Sequence, residues 1–474
     1  MYCMSQYDDF DDNESHSQSS EQSEEAVRRF RELIKTGQKD INNPDALEEI
    51  IQFYFFHEKF DEALMYVERL LSFQPFNSDA LQRKGMILNN LTRYEEALEC
   101  FERAISLNPA DTEIYVNQGI AFDNVNKVEE AMASFDKAVA LDPLHSDALF
   151  HKAVTLEKIE KFEEAVNLFK TVLQIDPDHP EVWYEMGFCY DYMDKPEDSI
   201  RCYDEHINRD PYNFNAWYNR GIVQNRIGKF QESVVSYEYA LAIKEDFPSA
   251  LFNMGNAYAN LGKLQDAIKC FKATIDIDPK DDAAWHNLGN AYEELQQYTD
   301  AIFHYSQALR YNAEHHESYF GRGCCYDALG KLPEALKDYR KAASLQPSFP
   351  EYWYACADAE YNSDKKDVAL QHYVKVTQLE PKNYEAWFDY GDTLIEVGNY
   401  TEGICALEQS IKLNEKFGLS HFSRAKALAG LNRFEEAANE FSASFIISPE
   451  LRSEFLSIFP KLASWRWFMK LINR

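Results

Sequence analysis

The chain has 474 residues, and its 80 acidic residues against 48 Lys and Arg give a formal net charge of −32 at pH 7. Such a charge repels phosphate groups, so we expect neither nucleic acid nor an acidic membrane surface to be a partner. Hydrophobic residues make up 45% of the chain and charged residues 27%, which provides for a sizeable core and excludes wholesale disorder.

The N-terminal region divides into two predicted segments. Residues 1–25 contain eight acidic residues, many Ser and no Lys or Arg, which predicts a disordered leader that is either solubilising or regulatory. Residues 26–43 place Ala26, Val27, Phe30 and Ile34 at helical spacing, which predicts an N-terminal cap helix. The start lacks the features of a secretory signal, and no apolar run reaches the roughly 20 residues of a membrane span. We therefore expect a cytoplasmic protein.

A 34-residue period runs through the rest of the chain. Nine of the sixteen prolines fall in one phase of that period: Pro75, Pro109, Pro143, Pro177, Pro211, Pro279, Pro347, Pro381 and Pro449. With this proline at position 32, twelve repeats extend from Pro44 to Leu451. Position 8 is Gly in eight repeats, position 20 is small in all twelve, and position 24 is aromatic in ten. Position 4 carries five of the seven tryptophans: Trp183, Trp217, Trp285, Trp353 and Trp387.

This pattern predicts two antiparallel helices per repeat. Small residues at positions 8 and 20 let the helix backbones approach, and the rings at positions 4 and 24 fill the space beside them. Gly, Asn or Asp stands at position 15 in eight repeats, which suits a left-handed residue closing the first helix. Position 16 is Lys or Arg in ten repeats, next to the negative end of that helix.

The segments 217–237 and 285–305 resemble the tetratricopeptide repeat motif, and the likeness covers residues 44–451. The resemblance implies an all-α, right-handed superhelical solenoid of about twelve 34-residue helix-turn-helix repeats. It also implies that the chain binds a protein or peptide in a concave groove lined by the first helices. Residues 452–474 depart from the motif, and their apolar stripe, bent at Pro460, predicts a C-terminal capping helix. The stripe consists of Phe455, Ile458, Phe459, Leu462, Trp465, Phe468 and Ile472. The alternative for this end is a basic aromatic docking segment at Trp465, Arg466 and Trp467.

Asparagines and rings recur on the predicted groove side of the first helix. Asn offers a donor and acceptors to a peptide backbone, so a row of Asn can hold an extended chain without reading its sequence. Rings at position 5 provide contact area, or else stack on the neighbouring repeat. The predicted peptide-binding residues are Asn117, Asn219, Asn253, Asn256, Asn287, Asn290, Tyr184, Tyr218, Phe252 and His286.

The charge of this predicted groove is one-sided. Positions 2, 5, 9, 12 and 13 of the twelve repeats hold eighteen acidic residues against three basic ones, Lys158, Arg226 and Lys426. Eight of those acids stand at position 2, where they can also stabilise the helix start. The excess predicts a basic ligand.

The sequence contains none of the residue patterns that carry catalysis or cofactor binding. Nucleotide-binding, metalloprotease and nucleophile motifs are missing, so we expect no catalytic residue, no cofactor and no enzyme activity. The nine cysteines form no CxxC pair, and we predict no metal site but buried thiols in a reducing compartment. We therefore predict a scaffold or adaptor. Two alternatives are a repeat arm that delivers substrates to a separate catalytic subunit, and an assembly element that associates with itself.

Overall fold

The computed structural model describes residues 43–472, and within that range all regular secondary structure is α-helical, in 27 helices. The chain forms two compact units that divide between residues 227 and 228. The predicted leader, and the predicted cap helix apart from Asn43, lie outside the described residues.

The first unit consists of five helix pairs and one further helix. The helices are α1 (Pro44–Phe56), α2 (Phe60–Phe73), α3 (Ser78–Asn90), α4 (Tyr94–Leu107), α5 (Thr112–Asn124), α6 (Val128–Leu141), α7 (Ser146–Lys158), α8 (Phe162–Ile175), α9 (Val182–Tyr192), α10 (Pro196–Arg209) and α11 (Phe214–Arg226). Consecutive helices within the unit pack against each other.

The second unit begins with a single helix, continues with six helix pairs and ends with three short helices. The helices are α12 (Phe230–Ile243), α13 (Pro248–Asn260), α14 (Leu264–Ile277), α15 (Asp282–Glu294), α16 (Tyr298–Tyr311), α17 (His316–Ala328), α18 (Leu332–Leu345), α19 (Pro350–Asn362), α20 (Lys366–Leu379), α21 (Tyr384–Glu396), α22 (Tyr400–Leu413), α23 (Gly418–Gly430), α24 (Phe434–Ile447), α25 (Leu451–Ile458), α26 (Pro460–Ala463) and α27 (Arg466–Ile472). The prediction of an all-α array of about twelve helix-turn-helix repeats is confirmed.

The ring at position 24 lies directly on the glycine at position 8 of the same repeat. A Cβ added to Gly85 would lie 2.5 Å from the ring of Phe101, and one added to Gly119 would lie 2.5 Å from the ring of Phe135. Both rings are fully buried. The sequence predicted that small residues bring the backbones together; the structure shows that the glycine also makes room for the ring itself.

Position 15 has a left-handed backbone in all twelve repeats. Four of these residues are glycines with φ from 70° to 86°, and the other eight are Glu58, Thr92, Asn126, Glu160, Asp194, Gln296, Asp364 and Asn432, with φ from 54° to 62°. The residue type at this position therefore varies more than the backbone conformation, because the turn between the two helices fixes φ.

Four of the five tryptophans at position 4 are joined to the proline at position 32 of the preceding repeat. The indole Nε1 of Trp285 donates to the carbonyl oxygen of Pro279 at 3.0 Å, and that of Trp353 donates to Pro347 at 2.9 Å. Trp217 and Trp387 make the same bond to Pro211 and Pro381. The two residue types that mark the period are thus physically connected across each of these repeat junctions.

The three C-terminal helices cover the apolar side of α24. The fully buried ring of Phe441 contacts the rings of Phe455 at 4.7 Å and Phe468 at 6.4 Å between centroids, and both of these are also fully buried. The sequence predicted a capping helix bent at Pro460, and in the structure this segment forms α25, α26 and α27, with α26 beginning at Pro460. Trp465 and Trp467 remain 36% and 47% exposed.

Candidate functional site

The first helix of each pair, which we call the A helix, carries the predicted binding residues. Within each unit, successive A helices contact one another, as α3 does with α5 and α21 with α23. Positions 2, 5, 6, 9, 12 and 13 follow helical spacing, so their side chains share one side of the A helix. We call this surface the A-helix face and describe it separately in each unit.

In the first unit the structure brings two of the predicted binding residues together. The side-chain amide of Asn219 on α11 donates to the hydroxyl of Tyr184 on α9 at 2.9 Å, which links adjacent repeats. Tyr218 is half-buried beside Asn219. Asn117 lies in an earlier repeat, and its amide donates to the backbone oxygen of Glu113 at 2.9 Å within its own helix. Asn117 is therefore not joined to the Tyr184–Asn219 pair.

In the second unit the asparagines form a short network. The amide of Asn287 on α15 donates to the side-chain oxygen of Asn256 on α13 at 2.8 Å. Asn290 contacts Nε2 of His286 at 3.1 Å and accepts a hydrogen bond from Tyr305 at 2.6 Å. Asn253 is half-buried on α13. The predicted asparagines thus hydrogen-bond to protein groups, so a ligand would have to share or replace these bonds.

Position 5 rings pack against the position 24 ring of their own repeat, and some also contact a ring at the junction with the next repeat, as His286 does with His315 at 4.6 Å between centroids. The centroid distances are 5.8 Å for Tyr184–Tyr203, 5.9 Å for Phe252–Phe271 and 5.6 Å for His286–Tyr305. Burial lowers the pKa of His286 to about 4, so this ring is neutral at neutral pH. These side chains are half-buried, and only part of each ring surface is left for a ligand.

The three basic residues at positions 9 and 13 of the A helices are paired with carboxylates of the preceding repeat. Lys158 pairs with Asp123, Arg226 pairs with Asp191, and Lys426 pairs with Asp392 at 3.1 Å. Arg226 also reaches Asp194 at 2.9 Å. The basic residues therefore offset only their immediate acidic neighbours.

A stripe of carboxylates in the second unit has no such basic partner. Its members are Glu293, Asp327, Asp358 and Asp389, and none of them forms an ion pair within residues 43–472. Each accepts a hydrogen bond from a tyrosine, as Asp358 does from Tyr373 at 2.6 Å and Asp327 from Tyr339 at 3.4 Å; the partners of Glu293 and Asp389 are Tyr305 and Tyr354. We call these four residues the carboxylate stripe.

Burial makes three carboxylates of the stripe, those of Glu293, Asp358 and Asp389, energetically costly to ionise. It raises the pKa of Asp389 to about 6, and the negative charges of Asp358 and Asp392 add to this effect. Burial likewise raises the pKa of Asp358 and of Glu293, although hydrogen bonds from Tyr373 and Tyr305 act in the opposite direction. A cation placed beside these carboxylates would relieve part of that cost.

The first unit contains a buried carboxyl pair. Burial raises the pKa of Glu157 on α7 to about 7, and burial together with the charge of Glu157 raises the pKa of Glu185 on α9 well above its ordinary range. The thiol of Cys189 donates to Glu157 at 3.5 Å, and burial strongly raises the pKa of this thiol. The pair therefore shares a proton more readily than it holds two negative charges.

Some contacts at this site were not predicted from the sequence, although the residue types at two repeat positions indicate them. In the repeats of Tyr305 and Tyr339, position 24 is Tyr instead of Phe and position 12 is an acid. In the structure these side chains are hydrogen-bonded, Tyr305 to Glu293 and Tyr339 to Asp327. Asn, Asp or His at position 34 caps the following A helix; Asn77 accepts from Ala80 N–H at 3.0 Å, and Asp281 from Ala284 N–H at 2.9 Å.

The part of the chain that the structure describes contains neither a side-chain cluster suited to a metal ion nor a membrane-spanning helix. Between residues 43 and 472, no three His, Cys, Asp or Glu side chains are grouped so that they could hold a metal ion. No helix in this range is both long enough and apolar enough to cross a membrane.

These observations define a class of protein, an all-helical array of repeated helix pairs with a polar face on its first helices. Family models described as tetratricopeptide repeat match residues 78–111, 116–180, 158–219, 286–350 and 354–415, and those described as TPR repeat match 225–262 and 255–296. The chain belongs to the tetratricopeptide repeat family. This membership supports a role as a protein-interaction scaffold, and repeats of this family are typically non-catalytic.

Several solved structures resemble the chain. One is the crystal structure of YrrB, described as a TPR protein with an unusual peptide-binding site. Its sequence identity to this chain is 23%, the match covers 40% of this chain and 97% of YrrB, and the TM-score is 0.36. MamA from Desulfovibrio magneticus RS-1 has 23% identity, coverage of 36% and 96%, and a TM-score of 0.34. The APC/C hetero-tetramer Cut9-Hcn1 has 13% identity, coverage of 91% and 96%, and a TM-score of 0.37. No curated protein sequence matches the chain significantly.

Proposed function

We propose that this chain is a non-enzymatic, cytoplasmic scaffold that holds an extended basic peptide or protein segment on its A-helix face. The observation that carries the proposal is the charge pairing on that face. Lys158, Arg226 and Lys426 are each neutralised by a neighbouring acid, whereas the carboxylate stripe has no cationic partner within the described residues. A Lys or Arg from a partner would supply the missing countercharge.

The stripe is suited to repeated, weakly specific contacts. Glu293, Asp327, Asp358 and Asp389 occur once in each of four consecutive repeats, on helices α15, α17, α19 and α21. Each carboxylate accepts one tyrosine hydroxyl and keeps further lone pairs for a partner. An extended segment with basic residues at intervals could therefore pair with successive repeats.

In each unit, the predicted asparagines would act on the ligand backbone. Asn219 and Asn287 are held in place by Tyr184 and Asn256. An amide group that is already oriented loses less conformational entropy when it binds a peptide. The Asn287 side chain has one further N–H and acceptor capacity beyond the bond named above. In this proposal the acids favour a basic segment and the amides favour an extended one.

The charge preference can be tested with a synthetic peptide of alternating Lys and Gly, titrated calorimetrically into the full chain. The triple variant Asp327→Asn, Asp358→Asn, Asp389→Asn should weaken its binding by about tenfold or more, because three charge-assisted contacts are lost. The matched control is Asp246→Asn, Asp276→Asn, Glu314→Gln, which removes the same charge from exposed positions of the same unit.

Equal weakening by the two triple variants would show that net charge alone attracts the peptide, and would contradict a site on the A-helix face. The amides are tested separately with Asn219→Ala, Asn253→Ala, Asn287→Ala. This variant should lower the affinity for both the Lys-Gly peptide and an uncharged Gly-Ser peptide of equal length. Unchanged affinity for both peptides would remove the asparagines from the proposal and leave the carboxylates.

A further inference from the structure

A basic cleft lies in the second unit of this otherwise acidic chain. It has a volume of about 750 Å³ and is formed by α17, α18 and the turn before α20. Its apolar lining comes from Tyr319, Pro333 and Leu336, and five of its lining residues are Lys or Arg. This concentration of positive charge is unusual in a protein with a net charge of −32.

Two of the five basic side chains are neutralised inside the fold. Arg322 forms a bidentate salt bridge to the buried Asp338, with Nε–Oδ2 and Nη2–Oδ1 distances of 2.7 Å and 2.9 Å. Arg340 pairs with Glu360, which is fully buried and also contacts His372. These pairs fix the position of the cleft wall but leave no net charge of their own.

The other three basic side chains lie at the rim without a partner. Lys337, Lys341 and Lys365 are exposed, and none of their ammonium groups makes an ion pair or hydrogen bond within residues 43–472. Lys337 and Lys341 are one helical turn apart on α18, so they point the same way. The nearby acid Asp364 lies 3.9 Å from Lys366. The rim therefore presents three uncompensated positive charges above an apolar lining.

The chain itself contains a segment of matching chemistry. Within the leader, residues 7–12 read Tyr-Asp-Asp-Phe-Asp-Asp, and residues 1–25 as a whole carry eight acids and no Lys or Arg. Tyr7 and Phe10 would suit the apolar lining, and the four aspartates would suit the three lysines.

We propose that the cleft between α17, α18 and the turn before α20 is a docking site for the acidic N-terminal leader of this protein. The docked leader would neutralise Lys337, Lys341 and Lys365. The site is distinct from the carboxylate stripe, whose charge is opposite, and this proposal does not depend on the peptide-binding function.

The test is zero-length carbodiimide cross-linking of the full chain, which joins a carboxylate to a lysine amine only where the two are in contact. The first Lys or Arg of the sequence is Arg28, so trypsin releases residues 1–28 as one peptide and mass spectrometry identifies the attached lysine. We expect links from this peptide to Lys337, Lys341 or Lys365, whether within one molecule or between two. The yield should fall as salt is raised from about 0.05 to 0.5 M.

The charge-reversal variant Lys337→Glu, Lys341→Glu, Lys365→Glu should increase the rate at which a glutamate-specific protease cuts the leader of the full chain by about tenfold, because three ion pairs become repulsive. The control Lys137→Glu, Lys280→Glu, Lys382→Glu makes the same charge change at exposed residues elsewhere and should leave the rate unchanged. Circular dichroism checks that both variants fold. If the charge-reversal variant does not fold, Lys→Gln changes at the same three cleft positions replace it.

Two results would overturn the proposal. The first is a set of leader links spread over exposed lysines throughout the chain, which would mean non-specific attraction. The second is equal protease sensitivity of wild type, cleft variant and control variant, which would mean that the leader does not occupy the cleft.

Discussion

Thr92 adopts a left-handed backbone conformation, with φ of +60°, at the turn between α3 and α4. A β-branched residue is strained there, whereas glycine is not. The change Thr92→Gly should therefore raise the free energy of unfolding by about 1 kcal/mol, because relief of strain exceeds the added backbone entropy of glycine. Denaturant unfolding monitored by circular dichroism measures the difference.

The reciprocal control for this prediction is Gly330→Thr. Gly330 has φ of +70°, and a Cβ added to it would meet no atom within 4 Å, so any loss comes from the backbone and not from a clash. We expect a loss of about 1–2 kcal/mol. Destabilisation by Thr92→Gly would show that the twelve turns do not share this conformation.

The indole hydrogen bond of Trp285 makes a second prediction at this scale. Replacing Trp285 with Phe removes the donor to Pro279 and should lower the free energy of unfolding by about 1 kcal/mol beyond the loss of ring area. Trp183→Phe is the matched control, because the buried Nε1 of Trp183 has no hydrogen-bond partner within residues 43–472. Equal losses in the two variants, measured by chemical denaturation, would mean that the bond to proline contributes nothing.

The sequence predicted which residues recur but not which atoms they touch. The proline, glycine and tryptophan positions follow from the period, yet the bond between Trp353 and Pro347 depends on how one repeat meets the next. The pairing of Asn256 with Asn287 likewise joins residues 31 positions apart. Periodicity gives the side of a helix on which a residue lies, whereas side-chain partners depend on distances between helices.

At the scale of the helices, the C-terminal end shows how a segment outside the period packs. Some residues of the predicted apolar stripe are buried against the last repeat, whereas others are exposed. The buried ones include Phe455, Leu462, Phe468 and Ile472, and the exposed ones include Ile458 and Trp465. Pro460 divides the segment, so the stripe does not stay on one side of a single helix. The sequence identified the covering residues better than it identified the shape of the segment.

The change Phe468→Ala tests this covering role. Phe468 is fully buried against Phe441 and Phe455, so truncation should cost about 3–5 kcal/mol of local stability. Hydrogen exchange should show faster exchange in α23 to α27 but little change in α1 to α11. The neighbouring change Trp467→Ala removes a 47% exposed side chain and should cost less than half as much. Equal effects from both changes would contradict the packing described here.

At the scale of the whole molecule, the acidic excess makes binding depend on pH. Asp389 has a pKa of about 6 in the free protein, raised above its ordinary value, so it is largely protonated below pH 6. A bound lysine favours the ionised carboxylate, and binding at low pH must therefore release a proton. Affinity for the Lys-Gly peptide should rise by up to about tenfold from pH 5 to pH 7 and then level off.

Calorimetric titration across this pH range checks the prediction. The variant Asp389→Asn should flatten the profile, whereas Asp246→Asn, at an exposed position of the same unit, should leave it steep. The ionisation of Asp389 affects the stability of the fold in the opposite direction from its effect on binding. Because the folded pKa is raised, the contribution of Asp389 to stability decreases as the pH rises from about 4 to 6. An affinity that decreases with rising pH would contradict the contact with Asp389.

The two recurring contacts of the array differ in whether they join residues of one repeat or of two neighbouring repeats. The ring over glycine lies within one repeat, as Phe101 does over Gly85, whereas the indole bond of Trp285 reaches back to the repeat before. Duplication or loss of a complete 34-residue block would keep every ring with its glycine and would place a new tryptophan beside an equivalent proline. Such arrays can therefore change length during evolution by whole blocks, while a partial block would separate a ring from the glycine that accommodates it.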